Sequence, residues 1–262
     1  MQVQHLANIE ILVPTLMSAA NCRVCEIKDK GEIDMKILFI ACYSPLINNS
    51  AAIETLQYLN KLSEIEGNEV HLLTVNFPKD SIYYDEALLN MMDKEIRLHV
   101  IDGGIVFKKL MPKKLQNSTK VVNGKNSNGS VKRVLRKIKN SLVIPDMYYG
   151  WSKKAGAYGK TLMEKEKFDV IFSMHEPPSS HLCAYEIKSK FKNVPWITYW
   201  SDPWLKDSTR QKSLIFKKII EHSMEKKIVN MADSFIFVTE ANKNEYLNDY
   251  SKLKNGSKKT YI

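Results

Sequence analysis

The sequence predicts an α/β protein with a doubly wound, Rossmann-like parallel sheet of about seven strands. Short apolar runs typical of buried strands alternate with amphipathic helical segments from Met35 onward. The alternation is clearest from Phe168 to Trp204, where two apolar runs flank a helical segment and form a parallel β–α–β unit. Ligands bind beyond the carboxyl ends of such strands, so functional residues are expected there.

The first half of the chain provides three of the predicted strands. Residues 1–34 show no sustained helical or strand period, which indicates an N-terminal extension or a short helix at the domain edge. The pattern changes at Met35, and the first buried strand is predicted over Lys36–Cys42. The other elements predicted here are a helix over Ala51–Glu66, strands over Glu69–Val75 and Arg97–Asp102, and a short helix around Asp85–Met92.

The second half provides the remaining strands. A helix is predicted over Met147–Lys167, directly after Pro145-Asp146. The other elements are strands over Asp169–Met174, Trp196–Trp200, Ser234–Thr239 and Lys259–Ile262, and helices over Thr209–Met231 and Ala241–Tyr250. Right-handed crossovers are expected throughout.

The composition is that of a globular protein of the cytoplasm. Hydrophobic residues make up 44% and charged residues 26% of the chain, and no apolar run approaches the roughly 18 residues that span a bilayer. The apolar stretch Ile9–Ala20 has no Lys or Arg before it, so a secretory signal is not predicted. Four cysteines without a framework pattern indicate a reducing compartment, and Cys22-x-x-Cys25 lacks the second ligand pair of a zinc site.

The net charge of +10 belongs to one segment. Residues 107–140 contain eleven Lys or Arg and no acid, whereas the rest of the chain has 28 basic and 29 acidic residues. A flexible loop is predicted over 116–130 and a basic amphipathic helix over 131–140. The segment is either a solvated loop or a membrane-contact region that uses Lys132, Arg133, Arg136 and Lys137. Nucleic-acid binding is disfavoured, because no aromatic residues interleave with the basic ones.

Several common catalytic motifs are absent. No glycine-rich dinucleotide fingerprint follows the first strand, and neither a P-loop nor a GxSxG elbow occurs. NAD binding, P-loop nucleotide hydrolysis and serine hydrolysis are therefore disfavoured, and no cofactor or metal is expected.

Polar residues follow three of the predicted strands. The Asn48-Asn49-Ser50 stretch either presents backbone N–H groups to an anion or sugar hydroxyl, or caps the next helix. His175 either acts as a base or oxygen ligand, or bonds its own loop. Asp202 either accepts a proton or holds a hydroxyl, or caps a turn. Trp200 and Trp204 have faces that suit sugar rings, although tryptophan is also common in cores.

A set of motifs resembles one known family. They are Pro145-Asp146 with Trp151, Phe168-Asp169-Val170-Ile171, Pro177-Pro178 with His181, Pro195-Trp196, Ser201-Asp202-Pro203-Trp204, Ala232-Asp233 and Val238-Thr239-Glu240. On these motifs, residues 144–262 resemble the N-terminal, acceptor-side domain of family 4 glycosyltransferases of the GT-B type. Met35–Cys42 with the Pro45 loop extends the resemblance over residues 35–262.

The resemblance implies the N-terminal half of a GT-B fold, in which two facing Rossmann-like domains enclose the reaction cleft. The N-terminal domain mainly holds the acceptor and the C-terminal domain mainly a nucleotide-sugar; transfer usually retains the anomeric configuration without a metal. It implies that His175 lies near the transferred sugar, with Asp202 as acceptor-hydroxyl partner or base. The implied substrate contacts are Asn48, Asn49, Ser50, Glu176, Trp204 and Glu240.

The chain departs from the family pattern at several points. Asn48-Asn49 stand where the first loop usually has Gly-Gly, and Ser201 stands where an Arg often precedes Asp202. No Glu-x7-Glu donor pair occurs, and residues 258–262 resemble the strand before the interdomain hinge. We therefore expect the C-terminal donor domain to be absent, and the truncated chain to transfer little or nothing alone.

Two hypotheses result. The first is the acceptor-binding domain of a retaining glycosyltransferase that moves a sugar from a nucleotide-sugar to a glycan or lipid-linked acceptor in surface polysaccharide synthesis. The second is a non-enzymatic Rossmann-like module that docks a partner or an anionic membrane through residues 107–140. Both place the protein in the cytoplasm, with or without peripheral attachment to the inner membrane face.

Overall fold

A seven-stranded sheet forms the centre of the computed structural model, which describes residues 35–114, 143–206, 214–256 and 258–262. All neighbouring strands are parallel, in the order β3-β2-β1-β4-β5-β6-β7. The strands are β1 Lys36–Ile40, β2 Glu69–Asn76, β3 Arg97–Asp102, β4 Val170–Met174, β5 Trp196–Trp200, β6 Ser234–Phe237 and β7 Lys259–Tyr261. The predicted doubly wound, Rossmann-like fold is confirmed.

Helices cover both faces of this sheet. They are α1 Ser50–Ser63, α2 Gly104–Leu110, α3 Tyr149–Lys165, α4 Ser179–Lys190, α5 Ile215–Met231, α6 Glu240–Asp249 and α7 Ser251–Lys254, with a 3₁₀ turn at Leu89–Met91. Tyr58 and Leu59 of α1 pack with Phe39 of β1 on one face. Trp151 of α3 and Ile187 of α4 belong to the core on the other face.

Alternate side chains of β1 pack into two hydrophobic cores on opposite faces of the sheet. Ile37 and Phe39 point into the core under α1, whereas Leu38 and Ile40 point into the core under α3 and α4. Each of these side chains is fully buried, and such burial contributes roughly 1.5–3 kcal/mol per side chain. A strand buried on both faces needs a continuous apolar run, which is the pattern that the sequence shows at this position.

The structure corrects several predicted details. Strand β1 ends at Ile40 rather than Cys42, and α5 begins at Ile215. Helix α2 was not predicted, because it has seven residues and too few turns for a period to show. Phe107 of this helix is buried and contacts the ring of Phe77, so the start of the basic segment belongs to the folded domain.

The sheet has its topological switch point between β1 and β4. Strand β1 pairs with β2 on one side and β4 on the other, so successive connections run in opposite directions from this centre. In such sheets the crevice beyond the carboxyl ends of the central strands is the usual ligand site. The residues that follow β1, β4 and β5 are therefore those that the fold itself exposes to a ligand.

Some predictions fall outside the described residues. They concern residues 1–34, the loop over 116–130, and the helix over 131–140 with its membrane-contact residues Lys132, Arg133, Arg136 and Lys137. Among the helices of the described ranges, none combines the length and hydropathy that a membrane crossing requires.

Candidate functional site

A cavity of about 130 Å³ lies at the carboxyl edge of the sheet, beyond β1, β4 and β5. Its lining comes from the loops that follow those three strands: Tyr43, His175, Glu176, Pro177, Pro178, Asp202, Pro203 and Trp204. The structure thus brings together four residues that the sequence nominated from two separate strand ends. It adds Tyr43, which the sequence reasoning did not select.

His175 is held in place by the sheet and by an aromatic wall. Its backbone N–H donates to the carbonyl of Tyr199 at 2.8 Å, which extends the pairing of β4 with β5. Its imidazole stacks on the indole of Trp200, with ring centres 5.2 Å apart and planes at 21°. The residue is only 7% exposed, and both nitrogens of its ring are buried.

A second histidine lies behind the first. The rings of His175 and His181 are 5.6 Å apart, and Nδ1 of His181 is 2.7 Å from the hydroxyl of Ser173. That hydroxyl also accepts the indole N–H of Trp196 at 2.8 Å. Burial, reinforced by the neighbouring His175, holds the pKa of His181 well below its usual value. His181 is therefore a neutral residue that supports the wall of the cavity.

Glu176 adopts a backbone conformation that is rare for its residue type. Its φ of 76° lies in the left-handed region, and no other non-glycine residue among those described has a positive φ. Such conformations cost roughly 1–3 kcal/mol and cluster at functional sites. The turn directs the half-buried Glu176 to the cavity at the end of β4.

Tyr43 is a neutral phenol at the switch point. Burial raises the pKa of Tyr43 to about 12, and the nearby Cys42 and Glu176 add to the effect. Its ring meets that of Tyr148 edge-on at 5.8 Å. A tyrosine three residues beyond the first strand could have been selected from the sequence, because the switch point lies beside the first strand of this fold class.

Asp146 ties together the loops behind the cavity. Its carboxylate accepts the backbone N–H of Tyr148 at 2.7 Å, the hydroxyl of Ser179 at 2.7 Å and the backbone N–H of Ser179 at 3.1 Å. Helix α4 therefore begins against a carboxylate of its own chain, after two prolines that have no N–H to offer. The Asp146 carboxylate therefore occupies the amino terminus of α4 where an anionic ligand would otherwise bind.

The loop after β5 supplies the third wall. Asp202 is exposed at the cavity, whereas Trp204 is buried with a backbone N–H that donates to the hydroxyl of Tyr246 at 3.4 Å. The indole N–H of Trp204 is buried without a hydrogen-bond partner in the described ranges. An unsatisfied buried donor of this kind is unusual in native proteins.

A buried carboxyl group supports the Trp204 loop. Glu225 of α5 accepts hydrogen bonds from the hydroxyls of Tyr246 and Tyr250, the second at 2.9 Å. Burial raises the pKa of Glu225 to about 7, and the two tyrosine hydrogen bonds offset part of this effect. The sequence reasoning missed Glu225; its signal is the helical spacing that places it on the same face as Ile228 and Val229.

Four nominated residues lie away from the cavity. Asn49 caps α1, since its side-chain oxygen accepts the N–H of Ala52 at 2.7 Å, and the Asn48 amide donates to Asp85 at 3.1 Å. Ser50 is the exposed first residue of α1. Glu240 is the exposed first residue of α6, a helix that Thr239 caps. At Asn49 the capping alternative describes the observed contact.

The amino edge of the sheet carries a different cluster. One ligand atom each from Glu69, His71 and Glu166 lies within 4.8 Å of the others, a spacing that a metal ion could bridge. Lys36 and Arg97 already supply the positive charge, with contacts to Glu69 at 3.0 and 2.9 Å. A cation would have to displace both, so this cluster fits a structural ion-pair network.

Comparisons with known proteins give a fold likeness only. No family model and no curated protein matches the chain. Among solved structures, it is similar to a "putative UDP-N-acetylglucosamine 2-epimerase from Listeria monocytogenes", at 11% identity and a TM-score of 0.47, over 83% of this chain and 43% of that one. It is also similar to the S. aureus MnaA–UDP co-structure, at 12% identity and a TM-score of 0.38, over 82% of this chain and 40% of that one.

The chain therefore spans less than half the length of either structure. At these levels of identity and TM-score, neither likeness carries an argument about function.

Proposed function

We propose that this chain is the acceptor-binding domain of a retaining glycosyltransferase, which moves a sugar from a nucleotide-sugar to a glycan or lipid-linked acceptor. The motif resemblance motivates the proposal. The observation that supports it is the shared cavity of His175, Glu176 and Asp202 beyond the carboxyl ends of β4 and β5. These residues offer two carboxylates beside a largely buried imidazole, within one small space that Tyr43 and Trp204 also line.

The size of the cavity favours an acceptor group over a whole nucleotide-sugar. Pockets that enclose a small molecule usually measure about 300–1,000 Å³, whereas this cavity holds about 130 Å³. It has room for part of one sugar ring. In the proposed enzyme the rest of the substrate lies against a second, facing domain that binds the nucleotide-sugar.

Each residue of the cavity has a separate role in the proposed reaction. Asp202, which is exposed, accepts a hydrogen bond or the proton from the acceptor hydroxyl. The acceptor oxygen then bonds to the anomeric carbon on the same face from which the nucleotide leaves with the electron pair of the sugar–phosphate bond, so the anomeric configuration is retained. His175, stacked on Trp200, lies near the transferred sugar, and Tyr43 and Glu176 orient that sugar.

The test is a transfer assay on the natural protein that carries this chain. A panel of nucleotide-sugars is incubated with glycan and lipid-linked acceptors, and released nucleotide and new glycoside are measured by mass spectrometry. Removing a general acid or base typically costs about 10²–10⁴ in rate, so Asp202→Asn should lose at least about ten-fold. His175→Ala removes the ring beside the transferred sugar and should also lower the rate.

Glu95→Gln is the matched control, since Glu95 is an exposed carboxylate outside the cavity. Full activity in both cavity variants, or an equal loss in the control, would contradict the proposal. A protein that consumes no donor in the whole panel would favour the non-enzymatic docking module instead.

A further inference from the structure

Helix α5 exposes a cluster of large apolar side chains at its amino end. Ile215 is 79% and Ile219 65% exposed, and the cluster consists of Leu214, Ile215, Phe216, Ile219 and Ile220. The buried residues of the same helix are Glu221, Glu225, Ile228 and Val229. With 3.6 residues per turn, the exposed cluster and the buried residues lie on opposite sides of the helix.

Positive charge accompanies this apolar cluster. Lys226 and Lys227 are exposed on the same side of α5, about 10 Å farther along at a rise of 1.5 Å per residue. Lys218 is exposed beside the cluster. Both acidic residues of the helix, Glu221 and Glu225, are buried, so its exposed surface has cations and apolar groups without an acid.

A hydrogen bond joins α5 to a residue that follows the basic region in the sequence. The ammonium of Lys217 donates to the carbonyl of Val143 at 2.8 Å. Val143 follows residues 107–140, where eleven basic residues occur without an acid. The Lys217–Val143 contact therefore lies three residues after this basic stretch in the sequence, and Lys217 and Lys218 add positive charge to the amino end of α5.

We propose that the exposed side of α5 docks on an anionic bilayer surface. Leu214, Ile215, Phe216, Ile219 and Ile220 enter the boundary between headgroups and acyl chains, while Lys218, Lys226 and Lys227 contact anionic headgroups. An apolar helix face flanked by lysines is the arrangement by which interfacial helices bind such membranes. An exposed apolar patch is otherwise unfavourable for a monomer in water.

The charges favour a bilayer over a second copy of this chain. A two-fold symmetric contact through α5 would bring the lysines of one copy towards those of the other. The exposed side of the helix has no acid to pair with them. Anionic lipid headgroups supply that opposite charge over a continuous surface.

Docking through α5 has a consequence for the cavity. Helix α5 follows β5, so its apolar end lies towards the carboxyl edge of the sheet, where the cavity opens. The cavity would then face material at the lipid surface, such as a lipid-linked acceptor. This consequence rests on the proposed function, whereas docking itself does not.

The test is co-sedimentation of the full chain with vesicles. One set contains phosphatidylcholine alone, and the other contains equal parts of phosphatidylcholine and phosphatidylglycerol. We expect salt-sensitive binding to the anionic set only. Ile215→Ser with Ile219→Ser should abolish it, and Lys226→Gln with Lys227→Gln should weaken it by at least about ten-fold, since each lysine near an anionic surface contributes about five-fold.

The control is a pair of exposed apolar residues elsewhere. Ile82 is 52% and Met91 65% exposed, and Ile82→Ser with Met91→Ser should bind as the unaltered chain does. Circular dichroism and thermal melting verify that each variant is folded.

Three results would overturn the proposal: equal binding to neutral vesicles, binding that survives Ile215→Ser with Ile219→Ser, or binding lost equally in the control. A concentration-dependent dimer that this α5 variant abolishes would assign the surface to a second copy. Vesicle binding without sugar transfer would uphold docking and count against the proposed function.

Discussion

Carboxyl groups at the two edges of the sheet have pKa values that are shifted in opposite directions. At the amino edge, Glu69 and Glu166 share the ammonium of Lys36 at 3.0 and 2.5 Å. Hydrogen bonds from His71 and Lys36 outweigh burial and lower the pKa of Glu69, and the hydrogen bond from Lys36 lowers that of Glu166. At the carboxyl edge, burial raises the pKa of Glu225 to about 7.

The histidines show the same difference. Both ring nitrogens of His71 have partners of the chain, the Glu69 carboxylate and the His99 ring, each at 3.0 Å. His175 instead stacks on Trp200 beside a cavity. Groups that neutralise one another hold a fold together, whereas perturbed groups around a cavity are characteristic of a site. This difference is consistent with a structural role for the amino edge and supports the site that we propose at the carboxyl edge.

A substitution of Trp200 is expected to have the largest effect, which is on the free energy of unfolding. Trp200 is fully buried and contacts the rings of both His175 and Tyr246, so it is a core residue that packs directly behind His175 of the cavity. Trp200→Ala should lower the free energy of unfolding by about 3–5 kcal/mol, measured in urea. Trp200→Phe should lose less. A loss below about 1 kcal/mol for Trp200→Ala would show that the wall is not supported by the core.

The next largest effect is expected at Glu225, and it concerns how the free energy of unfolding depends on pH. Because its pKa is raised in the folded state from 4.5 to about 7, the folded protein binds this proton more tightly, and stability falls as pH rises between those values. The shift corresponds to about 3 kcal/mol at 1.36 kcal/mol per unit. Glu225→Gln should remove this fall, so the difference between the two urea-unfolding profiles isolates Glu225. Parallel profiles from pH 5 to 7 would be contrary to a buried carboxyl.

The amino edge gives a smaller effect of the opposite sign. The lowered pKa values of Glu69 and Glu166 stabilise the fold above their unfolded values, and this contribution is lost as pH falls through the folded ones. Lys36→Met should cost about 1 kcal/mol at pH 7, since the three groups are partly exposed, and should flatten the acid limb of the stability profile. Lys36→Met with Glu166→Gln should recover part of the loss. An unchanged acid limb would mean that the network contributes nothing.

The sequence was most informative where periodicity and position coincide. The apolar run of β1, the doubly wound parallel sheet implied by alternation, and the polar residues directly after β4 and β5 were all predictable, because burial of parallel strands imposes that pattern. His175 and Asp202 could be nominated together, because strand ends of a parallel sheet meet at one edge.

The rest depended on contacts between distant segments. In the sequence, Glu225 looks like any other charged residue of a helix. Only the structure shows that the hydroxyls of Tyr246 and Tyr250 donate hydrogen bonds to it. Asp146 gains its role only when α3 and α4 begin side by side. The left-handed backbone of Glu176 has no local sequence signal, since glycine is the residue usually found in that region.

The indole N–H spectrum of the chain tests the carboxyl-edge site most directly. Trp204 lines the cavity and has a buried N–H without a partner in the described ranges, whereas the N–H of Trp196, at the start of β5, donates to Ser173. Titration with nucleotide-sugars and oligosaccharides should shift the Trp204 signal, assigned with Trp204→Phe, and leave that of Trp196 in place. A panel that never moves the Trp204 signal, or moves both alike, would contradict a sugar site at this edge.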